Sequence, residues 1–326
     1  MLHRVNTLIK EYKMADVINV ADRFGTHTFH EDHIIPNAKP FTPREDESDL
    51  YFPVYERDIS FAGKNDNFEI DSHKAIVRVM PDGAPRAIGI VGKKYKLVTM
   101  KELCHSAEGA LLEAMSDEQL RGCQVTESMA YHGGMLFKQY VFPTISDDLG
   151  TSSKSSVAFR TIIINGYDGT SSFKFYNGAI DFFCFNGMVT GVFDMTIQRH
   201  TSGFKIPNMV DKIKSSIDIF YNQAETYKHW HGKEISDEDA KECFEAMPGV
   251  SERRTEQLLH QFHIECMHHG RTVWALYSAA TFYATHSSGS FKVRETANDH
   301  IAATLNNRER QVRSWVETDQ FQQIAA

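Results

Sequence analysis

The five cysteines, Cys104, Cys123, Cys184, Cys243 and Cys266, include no C-x-x-C pair. They are odd in number and widely scattered, so neither a disulfide framework nor a thiolate zinc motif is indicated. Buried free thiols are the plainer reading. No apolar run approaches the roughly 20 residues that span a bilayer, and no membrane partner is expected. The amphipathic start, Met1 to Val20, carries Glu11 and Asp16 and lacks the continuous apolar segment of a secretory leader. The chain is therefore expected in a cytoplasm. Neither G-x-x-x-x-G-K-[ST] nor G-x-G-x-x-G occurs, which argues against ATP-driven work; no cofactor is expected. G-x-S-x-G and H-E-x-x-H are missing as well, and no Cys–His pairing suggests a nucleophile. There is no internal repeat and no low-complexity segment.

What remains is an ordinary globular composition, with 41% hydrophobic and 24% charged residues in 326. The net charge of −8 argues at first against a nucleic-acid partner. Its distribution changes that. Glu31 to Ser72 holds 11 acidic and 4 basic residues, a net of −7, so the rest is near neutral. Within that rest, Gly83 to Lys101 carries Arg86, Lys93, Lys94, Lys96 and Lys101 and no acid. A local basic stripe can matter more to a polyanion than total charge does. The plainer alternative is a solvated strand surface whose charges protect an edge.

The densest apolar signal lies between Ser156 and Gly191. Val157 to Ile164 is β-branched and aromatic and reads as a central strand. Asn165-Gly166-Tyr167-Asp168-Gly169-Thr170 reverses it, and Phe173 to Phe185 returns. Upstream, Val5 to Ala21 is a predicted helix. The acidic segment 31–72, with Pro36, Pro40, Pro43 and Pro53, reads as an extended arm or loop with little regular structure. His73 to Met80 and Arg86 to Val91 form a hairpin around Pro81-Asp82-Gly83, and 93–98 extends that strand or begins another. Thr99 and Glu102 form a capping box for a helix reaching about Met115. Cys123 to Met129 and Gly134 to Phe142 form a second hairpin. Residues 143–156 read as a loop, and Val192 to Gln198 as a further strand.

From Pro207 the pattern turns helical. Helices are predicted over 209–227, from the Ser236 cap to Ala246, over 251–269 with Gly270 as its stop, over 272–286, and over 298–315. Strands first and helices after is the α+β pattern. The expected fold is α+β: a mostly antiparallel core at about 73–200 followed by helices. The expected organisation is an N-terminal helix and acidic arm (1–72), a β-rich core (73–206) and a helical region packed on it (207–326).

The residues alone name no chemistry. His27, His30 and His33 crowd together, but neither helix nor strand puts all three on one face. Asp168, in its glycine turn, could serve as a base or cation ligand; bonding its own turn backbone is the commoner role. For polynucleotide binding the pieces are better. Lys93, Lys94, Tyr95 and Lys96 interleave charge with an aromatic, and Arg160, Lys174 and Lys205 add charge near the central strands. Single-strand binders combine a basic groove with stacking rings. Against this, Phe173, Phe175 and Tyr176 are expected to alternate into the core, at least half of them buried.

Several segments together resemble a family of phage- and plasmid-borne proteins carrying the domain of unknown function 932. They are Tyr95-Lys96-Leu97-Val98 leading into Glu102-Leu103; Asn165 to Ser171; Cys184-Phe185-Asn186-Gly187-Met188; and Val273 to His286. The order of the pieces carries more than any one piece, and the resemblance spans about Lys74 to Trp315. The family commonly has Ser or Asn-Ser-His-like residues before Asp-Gly; here the turn is Asn165-Gly166-Tyr167-Asp168-Gly169. At fold level that family is similar to RecT/Red-beta-like single-strand annealing proteins. The resemblance implies a phage or mobile-element protein in the host cytoplasm. It would be a non-enzymatic homo-oligomer that binds single-stranded DNA and works with host or phage replication proteins. Arg86, Lys93, Lys94, Tyr95, Lys96, Arg160, Lys174 and Lys205 would line the groove, with Tyr95 and Tyr167 stacking on bases. Asn165, Asp168 and Gly169 would form a turn of functional importance. Two other classes stay open. One is a metal-dependent hydrolase using Asp168 with His132 or His200. The other is a phage inhibitor that binds a host protein through the acidic arm.

Overall fold

The computed structural model describes residues 35, 38–64, 66–150, 156–181, 187–188, 194–286 and 310–326. The fold is α+β. Its large sheet runs in the order β1 (Lys39–Pro40), β5 (Gln124–Ala130), β6 (Met135–Asp148), β7 (Ser156–Gly166), β8 (Phe173–Asp181) and β10 (Asp194–Gln198). The short β9 (Gly187–Met188) pairs with β8. Every pairing is antiparallel. A second sheet has the order β2 (Val54–Ala62), β3 (Asn67–Val79), β4 (Pro85–Gly92). The strand β7 is buried along its whole length, as its unbroken β-branched and aromatic run requires. Leu136, Tyr140, Val157, Phe159, Ile163, Phe173 and Phe175 belong to the main core with the helices. Phe137, Ile162, Ile164 and Tyr176 form a separate cluster. Alternate residues of one strand thus go to different clusters, as a pleated sheet dictates.

One helix joins the sheets. Helix α1 (Met100–Ala114) starts at a complete capping box: the Thr99 hydroxyl accepts from the Glu102 amide, and the Glu102 carboxylate accepts from the Thr99 amide. A short helix, α2 (Asp117–Leu120), follows with a second capping box on Ser116. The C-terminal half contributes α3 (Val210–Gly232), α4 (Asp237–Ala246), α5 (Glu252–His269) and α6 (Val273–His286). Residues 310–316 are helical, and α7 (Asp319–Ala325) closes the chain. Trp230, Trp274, Tyr227, Tyr277 and Phe321 interlock ring against ring where α3, α6 and α7 meet.

Two expectations are corrected. The acidic segment, expected to hold little regular structure, contains β2 and the first residues of β3 as an antiparallel ladder. Their apolar alternation is short, Ile59-Ser60-Phe61 and Phe68-Glu69-Ile70, and is set among acidic residues. Residues 143–148 are not loop. Strand β6 continues through them after a register shift between Phe142 and Ser146, the irregularity that Pro143 imposes on a ladder. The helix proposed over 5–21, the histidines 27, 30 and 33, Cys184, and residues 298–309 of the last predicted helix lie outside the described residues. Phe173, Phe175 and Tyr176 are all buried.

Candidate nucleic-acid interface

Strand β4 ends at Gly92, and the chain turns at once: the Tyr95 amide donates to the Gly92 carbonyl at 2.9 Å. This turn lifts Lys93 and Lys94 into solvent and lays Tyr95 and Lys96 against a loop more than a hundred residues away. The Lys96 amide donates to the His200 carbonyl (3.1 Å), and the Lys96 Nζ donates to the Phe204 carbonyl (3.0 Å). The His200 ring packs between Tyr95, at 5.0 Å between centroids, and Phe204, at 5.3 Å and nearly parallel. Phe204 in turn meets Phe173 of β8 edge-on. The loop 199–206 is thereby fixed at the end of β10. Cross-strand pairing sets Ile197 of β10 opposite Lys174 of β8.

The result is a basic face with apolar points in it. Lys94, Lys96, Arg199 and Lys205 are exposed and Lys174 is half-buried. Ile197 and Ile206 are 56% and 38% exposed. Among the described residues Lys94, Arg199 and Lys205 form no ion pair. The acid at the start of β10, Asp194, is already occupied by Lys212, whose Nζ reaches both carboxylate oxygens at 2.7 and 2.8 Å. Lys94, Arg199 and Lys205 thus bring positive charge to this face that no described ion pair offsets. Beneath it, neither ring nitrogen of His200 has a hydrogen-bond partner. Burial holds its pKa below the ordinary imidazole value, against a smaller opposing effect of the Lys96 backbone.

The other expected groove residues lie elsewhere. Arg160 is buried, with its Nη1 donating to Gln139 Oε1 at 2.9 Å, so it faces no phosphate. Lys93 pairs with Asp58 of β2, on the acidic side of the molecule. Tyr95 does not stand clear as a stacking platform: its hydroxyl donates to the Gly166 carbonyl at 2.7 Å. Tyr167 is fully buried, its hydroxyl accepting from the Met100 amide at the start of α1. Arg86 reaches the ring of His132. There Tyr131, His132 and Gly133 all have positive φ, at 54°, 56° and 99°. Arg78 secures that corner, donating to the His132 carbonyl at 2.6 Å beneath Phe52.

The Asn165–Thr170 turn is a structural joint. The Asp168 Oδ1 accepts from the Thr170 amide and hydroxyl, the local bonding expected of such a turn. Asn165 is buried and donates to the Val98 carbonyl. Gly169 takes φ +79°, where a side chain would meet Val91. Across from it, a Cβ on Gly89 would lie 2.4 Å from the Tyr167 carbonyl oxygen. The small sheet and the large sheet touch backbone to backbone at this point.

Sequence reasoning missed a buried ionic cluster. The Lys138 Nζ lies 3.2 Å from Glu108, 3.1 Å from Glu127 and 2.9 Å from the Tyr51 hydroxyl, and the Tyr140 hydroxyl donates to Glu108. Burial opposes the charge on Lys138, but Cys104, Glu108 and Glu127 outweigh it and its pKa lies above 10.5. The Cys104 thiol is pushed up to about 12, chiefly by burial. The segment before β2 closes this cluster, with the Arg44 amide on Glu108 and the Ser48 hydroxyl on Glu127. A lysine inside the apolar run of β6 was the available signal. No described group of three or more His, Cys, Asp or Glu residues is placed to hold a metal ion.

The model of one family, described as a Domain of unknown function (DUF932), matches residues 87–313. The chain belongs to the DUF932 family. The match begins within β4, and so leaves β2 and β3 outside it. It contains the Lys94–Lys96 turn, the large sheet from β5 to β10, the 199–206 loop and the helices α1 to α6. No curated protein and no solved structure matches this DUF932 chain.

Proposed function

We propose that this DUF932 protein binds single-stranded DNA along the face formed by Lys94, Lys96, Lys174, Arg199 and Lys205. It would act in the host cytoplasm, serving replication or recombination of a phage or plasmid. The observation that carries the reading is the pair of bonds from Lys96 to the His200 and Phe204 carbonyls. They join two basic segments that are remote in sequence into one surface. Such a surface suits a phosphate backbone, and Ile197 and Ile206 offer apolar contact for unstacked bases, which a duplex does not present. Annealing of complementary strands would follow from holding bases outward, and it needs neither a nucleophile nor a nucleotide.

The test is fluorescence anisotropy of a labelled single-stranded oligonucleotide, titrated at several salt concentrations beside a duplex. Binding should prefer the single strand and weaken with salt. Lys94→Ala with Arg199→Ala and Lys205→Ala should lower affinity at least tenfold and flatten the log–log salt slope by about 2, roughly 0.7 per lost contact. No binding at low salt, or equal affinity in the triple variant, would overturn the proposal.

A further inference from the structure

The large sheet has two faces, and the described helices take only one. Along β7, Val157, Phe159 and Ile163 join the helices in the main core, while Ala158, Arg160, Ile162 and Ile164 alternate to the other side. On that second side Phe137, Ile162, Ile164 and Tyr176 are at most 2% exposed. Yet every member of their cluster belongs to the sheet's own strands, β5, β6, β7, β8 and β10. Strands lying edge to edge do not take water off their own face; a second layer packed on the sheet does. That layer comes from outside the described residues.

The neighbouring cluster on the same side shows where the layer joins the chain. Ile35 is buried against Val141, Ala158 and Ile180, and its amide donates to Gln124 Oε1 at 2.7 Å. Residues 1–34 therefore leave from this face. The other long stretches outside the described residues set out from the helical side. Residues 287–309 follow α6, where Tyr283 stacks on Trp315. Residues 182–186 and 189–193 flank β9, which packs against α6. The leading stretch also fits the face in its chemistry. Val5, Leu8, Ile9 and Tyr12 fall at i, i+3, i+4 and i+7 of the predicted helix, and Asp16 continues their stripe at i+11. An acid on an apolar stripe is the complement of a cation on an apolar sheet face, and Arg160 is that cation. Residues 182–186 and 189–193 hold no acid at all. We propose that residues 5–21 dock on this second face of their own chain. Val5, Leu8, Ile9 and Tyr12 lie over Phe137, Ile162, Ile164 and Tyr176, and Asp16 turns toward Arg160. The reach is sufficient: Ala158 to Ile164 is about 20 Å of strand, and residues 22–34 extend to about 43 Å at roughly 3.3 Å each. The seat adjoins the proposed DNA face, since Lys174 and Ile197 are the next register pair on this side after Tyr176 and Met195. The docking itself does not depend on that reading.

Photo-cross-linking of the full chain tests it. Tyr12→p-benzoylphenylalanine keeps an aromatic ring on the stripe. After irradiation, peptide mapping should find the adducts on residues 135–141, 158–164 or 174–180. Adducts confined to the helices, or no adduct, would overturn the proposal. Light chains mixed with isotopically heavy ones before irradiation identify the owner of the seat. Adducts within one chain are expected; light–heavy adducts would give the face to a second copy and overturn docking on the same chain. A second variant reads the uncovered face. Val5→Ser with Leu8→Ser and Ile9→Ser changes the leading segment alone, so the helical core should persist. Anilinonaphthalene sulfonate should fluoresce several-fold more brightly on this variant than on the wild type. Trypsin should cut after Lys10 and Lys13 about tenfold faster or more, because cleavage tracks the open fraction. Dye binding and cutting that match the wild type would show that the stripe is not seated. Neither experiment contains an oligonucleotide, so a failure of the DNA reading leaves this inference standing.

Discussion

His200 is an apolar ring with an unexpressed charge. Its pKa is lowered in the folded chain by burial, while the unfolded chain titrates near the ordinary 6.5. The unfolded state therefore takes up the proton first. The stability associated with this residue is complete above pH 6.5 and is lost as pH falls through that value toward the lower folded one. Urea unfolding at pH 7.5, 6.5 and 5.5 should show a falling midpoint. His200→Phe, which keeps the stack between Tyr95 and Phe204, should fall less steeply. An identical pH dependence in the variant would mean that His200 is not the responsible group. At this scale the sequence was readable where a residue acts on its neighbours and opaque where it acts at a distance. Thr99 and Glu102 announce a capping box by spacing alone. Arg199 announces nothing, and only the bond from Lys96 to the His200 carbonyl places it beside Lys94. Arg160 and Lys138 sit in strands among apolar residues, and no local pattern separates a buried cation from an exposed one.

At the scale of elements, the two sheets meet at Gly89, Gly134 and the Asn165–Thr170 turn. Gly134 would place a Cβ 3.2 Å from the Ile88 carbonyl oxygen and 3.3 Å from Asp168. Gly89→Ala should cost about 2 kcal/mol or more, because the obstacle is backbone on both sides and neither strand can give way alone. Guanidinium unfolding measures it; a loss under about 0.5 kcal/mol, the ordinary range for surface changes, would show that the sheets can part at this seam. The hairpins around Pro81-Asp82-Gly83 and His132-Gly133 were legible from turn residues, and helices α3 to α6 from their caps and apolar period. The ladder between β2 and β3 was not, since its alternation is confined to Ile59-Ser60-Phe61 and Phe68-Glu69-Ile70 within an acidic stretch. Acidic composition there read as arm, and an arm it is, though one built of sheet.

At the scale of the molecule, the residues of the proposed DNA face come from the turn after β4, from β8 and from the loop after β10, and only the fold brings them together. Phe204→Ala, which removes the ring that seats this loop against Phe173 and His200 while keeping every basic residue, should weaken single-strand binding in the anisotropy titration. Unchanged affinity would show that the placement of the loop does not matter to the proposed face.

Strand β3 is a single run of 13 residues. Its last residues are buried in the junction, where Arg78 fastens to the corner at His132, and its first residues form one side of the arm. Between the two parts the ladder is broken: Asp58 faces Lys74 and Ser60 faces Glu69, so two steps along β2 span five along β3. The seven residues from Asn67 to His73, all but Ile70 exposed, span about 23 Å of strand at roughly 3.3 Å each. The arm is thus a limb with an elbow: the break at its foot re-aims the tip relative to the junction, and a load on the tip meets that bend before it meets the seam between the sheets.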